Sequence, residues 1–281
     1  MGLIISDILA HARQRLATRD FQPSTREANL LLAHVLGWSE AQVLARQDHS
    51  LTDRERQRFE IALGRRLTGE PIAYIVGHKE FFGRPFQVDS RVLIPRPETE
   101  HVVETALELP LPRWSTVLDL GTGSGCMACT VALELPACRV IATDLSLGAL
   151  TVAWANLTHL DLSDRLYLVR TDLAHGLDLS GIDLVLSNPP YIAYDEAQSL
   201  SLEVVDFEPE LALFAGAAGL AMHRRLLDEL AGLHSGAWLV VEIGADQEAE
   251  IRQLATESAF RLIEVRPDYA GLPRVALLQR H

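Results

Sequence analysis

The sequence predicts an α/β protein: a seven-stranded, mostly parallel sheet preceded by a small helical bundle and a β-hairpin. Three observations carry that expectation. From Thr116 onward, short runs rich in Val, Ile and Leu alternate with helical segments, the pattern of a parallel sheet buried between helix layers. The first 70 or so residues instead carry helix-start signals and helical apolar spacing. Between Tyr74 and Pro95 the composition shifts to aromatic and β-branched residues broken by Gly77, Gly83 and Pro85, which suggests a hairpin linker. The expected divisions are therefore 1–73, 74–95 and 96–281.

In the first region three capping boxes are expected: Ser24 with Glu27, Ser39 with Gln42, and Thr52 with Glu55. In such a box the paired side chains satisfy amide donors that a helix start leaves open. Leu30, Leu31, Val35 and Leu36, followed by Gly37, make an apolar stripe with a C-terminal stop. No cluster of titratable groups there suggests chemistry, so support or partner recognition is its expected role. Strands are expected near Thr116–Leu120, Arg139–Asp144, Leu166–Asp172, Asp183–Asn188, Ala237–Ile243, Arg261–Val265 and Val275–Gln279. Only "RPDYAGLP" separates the last two, so they should pair as an antiparallel hairpin at or near one edge.

Composition narrows the function. A net charge of −13 and a single lysine, Lys79, argue against a broad nucleic-acid footprint. Apolar content of 48% supports a sizeable core, yet no run approaches the roughly 18 residues of a membrane span, and the start lacks a signal-peptide pattern. A cytoplasmic monomer without membrane contact is expected. "MGLIIS" matches the loose myristoylation pattern through Gly2 and Ser6, but the same letters open an apolar helix. Cys126, Cys129 and Cys138 are too few for a disulfide framework. The C-x-x-C spacing of the first two lacks the second pair or histidine cluster of a zinc site, so small core residues and no metal are expected.

Ligands of doubly wound sheets sit beyond the carboxyl ends of the strands. After the first strand comes "DLGTGSG", where Gly121, Gly123 and Gly125, with Thr122 and Ser124 between them, allow a sharp turn and close backbone approach at a helix start. Nicotinamide enzymes place G-x-G-x-x-G here; in this chain the third glycine comes one residue early and Cys126 stands where Gly or Ala is needed. The spacing resembles instead the acidic-x-G-x-G-x-G loop of S-adenosylmethionine-dependent methyltransferases, whose cofactor rests its methionine end against the loop. Asp144 ends the second strand, where a carboxylate can accept both ribose hydroxyls of an adenosine. Asp172 and Leu173 end the third, placed to meet the adenine edge and face, although Asp172 equally suits a turn or helix cap.

The fourth strand delivers "LSNPPYI". Two prolines fix the backbone around Asn188 and Pro189, a rigidity an ordinary turn does not need. The Asn188 side-chain oxygen and the Pro189 carbonyl can accept both N–H bonds of a planar –NH₂, while Pro190 stiffens the turn and Tyr191 stacks on the flat acceptor. Such a nitrogen is a poor nucleophile because its lone pair is delocalised. Positioning and electrostatics then carry methyl transfer, and no acid–base dyad is expected.

This motif pair is shared by adenine-N6 and cytosine-N4 DNA enzymes, some RNA enzymes and a protein-glutamine enzyme; the acidic charge disfavours the first groups. "GEPIAYIVGHKEFFGRPFQVDSRVLIPRPETE", with "EPELAL" and "VEIGADQ", resembles the bacterial release factor N5-glutamine methyltransferases over essentially the whole chain. The resemblance implies a class I S-adenosylmethionine-dependent methyltransferase (Rossmann-like) domain. It further implies a helical domain that recognises class I peptide chain release factors, and methylation of the glutamine in their Gly-Gly-Gln motif in support of translation termination. A nucleic-acid amino-methyltransferase of the adenine-N6 type is the alternative. By the resemblance, Gly121 to Gly125, Asp144, the position of Leu173, and Asn188 contact the cofactor, and Asn188, Pro189, Pro190 and Tyr191 hold the glutamine. "IPRPETE" covers the methionine end through Arg96 and Thr99, which by themselves equally suit a salt bridge and a helix cap. Two departures stand out: Leu173 occupies a position where members often carry an aromatic residue, and Ala218 precedes Gly219 where an acidic residue is common.

Overall fold

The computed structural model describes residues 4–17, 26–192, 200–214 and 220–281. The chain forms two compact units, Met1–His78 with Leu200–Phe207, and Lys79–Ser199 with Glu208–His281.

The helical unit is built from α1 (Ile5–Leu16), α2 (Glu27–Leu36), α3 (Glu40–Ala45), α4 (Asp53–Leu67) and α5 (Ile72–Val76), with Leu202–Phe207 (α9 in chain order) joining from far along the sequence. The apolar stripes meet in a core that includes Ile5, Leu9, Leu31, Leu32, Phe59 and Leu63, each fully buried. Such side chains contribute about 1.5–3 kcal/mol apiece relative to exposure. The boxes at Ser39/Gln42 and Thr52/Glu55 form as expected, and Gly37 ends α2 in the left-handed region at φ +67°. Of the third expected box, Ser24 lies outside the described residues. Its partner Glu27 binds Arg66, a guanidinium that is 2% exposed and also reaches Glu203 of α9 at 2.5 Å. Gly2 likewise lies outside the described residues, while Ser6 sits in the first turn of α1.

The second unit begins with the hairpin β1 (His78–Phe81) and β2 (Arg84–Gln87). Phe82 (φ +52°) and Gly83 (φ +71°) turn it; positive φ at both central residues is the twist-matched solution for a two-residue turn. Phe81 and Phe86 pack edge to face and join the core of this unit. Next come α6 (Glu100–Leu107), β3 (Thr116–Leu120), α7 (Cys126–Glu134), β4 (Arg139–Asp144), α8 (Leu147–His159), β5 (Leu166–Arg170) and β6 (Leu184–Ser187). They are followed by α10 (Glu210–Leu213), α11 (Ala221–Glu229), β7 (Trp238–Glu242), α12 (Glu248–Thr256), β8 (Phe260–Pro267) and β9 (Pro273–Arg280).

The seven strands run in the order β5-β4-β3-β6-β7-β9-β8. All neighbours are parallel up to β7, and β9 pairs antiparallel with both β7 and β8, so the last two strands form the expected hairpin at the edge. The side on which successive strands are added switches between β3 and β6. There the register aligns Leu120 with both Thr143 of β4 and Ser187 of β6, so the segments leaving these strands emerge at one level. The strand β5 stops two residues short of expectation. Thr171 Oγ1 donates to the His175 carbonyl and the His175 amide donates to the Asp172 carbonyl, folding 171–175 into a turn. Cys126 and Cys129 are buried on α7 as core residues, and burial pushes the Cys126 thiol up to about 12. Among the described residues no helix is long and apolar enough to cross a membrane.

Candidate active site

The turn after β3 is made by its backbone. Gly121 (φ +71°), Gly123 (φ +56°) and Gly125 (φ +79°) all occupy the left-handed region that other residues reach only with strain. At Gly121 and Gly123 nothing lies within 4 Å of where a Cβ would stand, so the chain there faces open space. Gly125 answers a different need: a Cβ would come 3.1 Å from that of Ala153 on α8, so its glycine permits helix packing. Thr122 Oγ1 donates to Asp119 Oδ2 (2.6 Å), and the Thr122 amide donates to the Thr143 carbonyl, pinning the turn to β4. Asp119 is wholly buried, which pushes its carboxyl up to about 7 against the lowering pull of Thr122. Asn156 of α8 clasps the turn from outside, donating to the Ser124 carbonyl at 2.8 Å while exchanging two hydrogen bonds with the backbone of Gln87.

Asp144, at the end of β4, accepts from the Gly123 amide through Oδ2 (2.9 Å) and from the Ser146 amide through Oδ1 (2.8 Å). Burial raises this carboxyl above its ordinary value. The Leu145 amide also acts on this carboxylate, whose two oxygens, with about four acceptor sites, still have capacity for a ligand hydroxyl. Leu173 adopts φ +48°, and its carbonyl accepts from the Thr143 hydroxyl at 3.0 Å. Asp172 pairs with Arg225 of α11 at 2.8 Å.

The turn after β6 is held by side chains. Asn188 Nδ2 donates to Thr99 Oγ1 (3.1 Å), which in turn donates to Glu242 Oε2 (2.7 Å); the Tyr191 hydroxyl donates to Glu242 Oε1 (3.2 Å). Gln247 Nε2 donates to the Tyr191 carbonyl at 3.2 Å. Glu242 closes β7 and is almost wholly buried, which pushes its carboxyl up to about 7. Among the described residues neither Asn188 Oδ1 nor the Pro189 carbonyl oxygen accepts a hydrogen bond. Among the described residues two acceptors are therefore unused at the point where the sequence expects a planar amine. Thr99 sits at the start of α6 without capping it, because its hydroxyl is committed to Glu242. Arg96 forms the salt bridge that its residue type allowed, to buried Glu208 at 2.5 Å, and Glu208 also accepts from the Ile94 amide.

A cavity of about 210 Å³ joins these turns. Its wall includes Arg96, Thr99, Gly121, Thr122, Gly123, Ser124, Asp144, Asp172, Leu173, Asn188, Pro189 and Pro190; Gly125 and Tyr191 are not part of it. Sequence reasoning assigned no role to Glu242, Glu208 or Asn156. Glu242 had a usable signal: an acidic residue ending a buried apolar run, as Asp144 does, at the carboxyl end of the sheet where ligands gather.

Residues 102–206 match the family "Methyltransferase small domain", and residues 7–77 match "PrmC N-terminal domain". In fold, the hMettl16 catalytic domain is similar at a TM-score of 0.58 and 17% identity, covering 78% of this chain and 81% of that one. With a glycine turn and an Asn-Pro-Pro-Tyr turn on one cavity, fold and site are those of an S-adenosylmethionine-dependent methyltransferase. The chain is 40% identical over 281 residues to the release factor glutamine methyltransferase of Nitratidesulfovibrio vulgaris, covering 99% of this chain and 95% of that protein. It is 43% identical over 262 residues to the enzyme of that name in Neisseria gonorrhoeae, with 89% and 92% covered. This chain belongs to the release factor glutamine methyltransferase family. The observed residues fit the cofactor: two glycines whose missing side chains leave the cavity open, and a carboxylate with spare lone pairs at the end of the neighbouring strand.

Proposed function

We propose that this protein methylates the side-chain amide nitrogen (N5) of the glutamine in the Gly-Gly-Gln motif of class I peptide chain release factors, acting as a cytoplasmic monomer. The observation that carries this reading is the pair of open acceptors, Asn188 Oδ1 and the Pro189 carbonyl, on a proline-stiffened turn. S-adenosylmethionine, when bound, supplies an electrophilic methyl group on a sulfonium sulfur. Gly121 to Ser124, Asp144, Asp172 and Leu173 would hold it, with Gly125 behind them packing α7 against α8 and Arg96 and Thr99 at the methionine end. Asn188 and Pro189 would accept the two N–H bonds of the glutamine amide, leaving the nitrogen lone pair as its one free direction. As positive charge develops on that nitrogen, both hydrogen bonds strengthen, which is differential stabilisation of the transition state. Pro190 removes backbone freedom, and Tyr191, tied through its hydroxyl to Glu242, anchors the far end of the turn.

The helical unit is the proposed release-factor recognition element. Residues 200–207 follow the Asn-Pro-Pro-Tyr turn in sequence and belong to that unit, which supports a role close to substrate choice. The test is incubation with labelled methyl donor and either purified release factor or DNA, followed by mass spectrometry of the Gly-Gly-Gln peptide. A single added methyl on that glutamine is expected. Label entering DNA alone would overturn the reading in favour of a nucleic-acid enzyme.

A further inference from the structure

We infer that Glu242 is a positioning residue: its carboxylate, acting through the Thr99 hydroxyl, decides which atom of the Asn188 carboxamide faces the substrate nitrogen. The inference rests on the proposed role of Asn188 as an acceptor.

A threonine hydroxyl has one proton to give. Thr99 gives it to Glu242 Oε2 at 2.7 Å, so towards Asn188, 3.1 Å away, it can only accept. That contact must then be made by Nδ2, and Oδ1 is left for the substrate. The two ends of an Asn amide are interchangeable in shape, so the hydrogen-bond chain alone sets their order. The other carboxylate oxygen takes the Tyr191 hydroxyl, so one buried group anchors both ends of the Asn-Pro-Pro-Tyr turn.

Protonation at Oε2 reverses the chain. A neutral Glu242 donates to Thr99, Thr99 then donates to Asn188 Oδ1, and the turned amide presents Nδ2 to the substrate. Donor would face donor, and the amide could no longer be held. The groups facing Glu242 are Thr99 and Glu98 from the 3₁₀ turn Pro97–Thr99, Tyr191 from the β6 turn and Arg274 from β9, while His223 of α11 binds its backbone carbonyl. Arg96 acts on Tyr191. Burial outweighs the attraction of Arg274 and leaves the carboxyl near 7. The competent form is the ionised one, so activity should rise with pH through that region.

The experiment uses the full chain with S-adenosylmethionine and purified release factor. Wild-type kcat should fall about tenfold per pH unit below the Glu242 midpoint. Glu242→Gln, whose amide oxygen can still accept from Thr99, should leave cofactor affinity unchanged and abolish that limb of the pH profile. Thr99→Val, which removes the hydroxyl that accepts from Asn188 together with its bond to the buried acid, should lower kcat by about 100-fold, and Thr99→Ser should restore activity. Independently of turnover, the side-chain ¹⁵N amide resonances of Asn188 should titrate in the wild type and stay fixed in Glu242→Gln. Asn188 resonances that do not change with pH, or a folded Glu242→Gln enzyme that keeps the wild-type pH profile, overturn the inference. Failure of the wild type to methylate glutamine would instead overturn the proposed function, and the NMR titration would still read the positioning chain.

Discussion

The turns after β3 and β6 leave adjacent strands at one level, and each stands on a buried carboxyl near 7 that accepts from a threonine: Asp119 from Thr122 at 2.6 Å, Glu242 from Thr99 at 2.7 Å. They differ in reach. Thr122 is three residues from Asp119, whereas Thr99 is 143 residues from Glu242 and Tyr191 is 51. The first turn is shaped by glycine backbone and needs only its own neighbourhood. The second is rigid locally through its prolines, but the orientation of Asn188 is imposed by Thr99 at the start of α6 and by Glu242 at the end of β7. Cofactor binding and acceptor positioning are thus separable, and each can be damaged alone.

The largest separation is expected at Asn188. Asn188→Ala removes an acceptor used only when substrate is held, and should lower kcat by about 10²–10³-fold, the scale for deleting one preorganised transition-state partner. Cofactor affinity, measured by calorimetry, should change little. Equal loss of both quantities would show that the two turns act as one.

The buried carboxyl beneath the first turn gives a stability effect in place of a catalytic one. Asp119 rises from 3.8 to about 7 on folding, so between those values the folded state holds a proton that the unfolded state has lost. Stability from this group therefore falls as pH rises through that window. Asp119→Asn does not titrate, and between about pH 5.5 and about pH 8 it should gain about 2 kcal/mol relative to the wild type in urea unfolding. A constant difference across that range would mean that Asp119 is ionised throughout.

The same contrast decides what could be read from the sequence. Strand positions, the edge hairpin and the glycine turn follow from periodicity and from residue types whose backbone demands are local, so they were legible, whereas the order of the strands comes from the fold. Thr99 was not: its position at a helix start suggested a cap, and only the fold brings Glu242 to its hydroxyl. Asp172 was similarly ambiguous, since a carboxylate at a strand end can meet a ligand or an arginine, and Arg225 arrives from 53 residues further on. Leu173 was placed at the end of a strand that in fact stops at Arg170, because side-chain hydrogen bonds of Thr171 compete with the ladder.

A smaller effect on the cofactor side is expected from Gly123→Ala. At φ +56° the added methyl costs about 1–2 kcal/mol of backbone strain and projects toward the cavity. Cofactor affinity should weaken by about tenfold or more, with kcat at saturating cofactor close to wild type.

The smallest effect should come from Glu208, which joins neither turn directly but ties the entrance segment to the chain beyond the β6 turn. One oxygen accepts from Arg96 at 2.5 Å and the other from the Ile94 amide at 3.2 Å, and the side chain is 1% exposed. Glu208→Gln keeps the size and one acceptor but removes the charge that holds Arg96, and it puts an NH₂ against one of two donors. A buried donor left without its partner costs about 1–3 kcal/mol. The melting temperature should fall by about 2–8 °C, with cofactor affinity reduced a few-fold because Arg96 lines the cavity. An unchanged melting temperature combined with lost affinity would show that Arg96 is held for the ligand alone and that Glu208 contributes nothing to the fold.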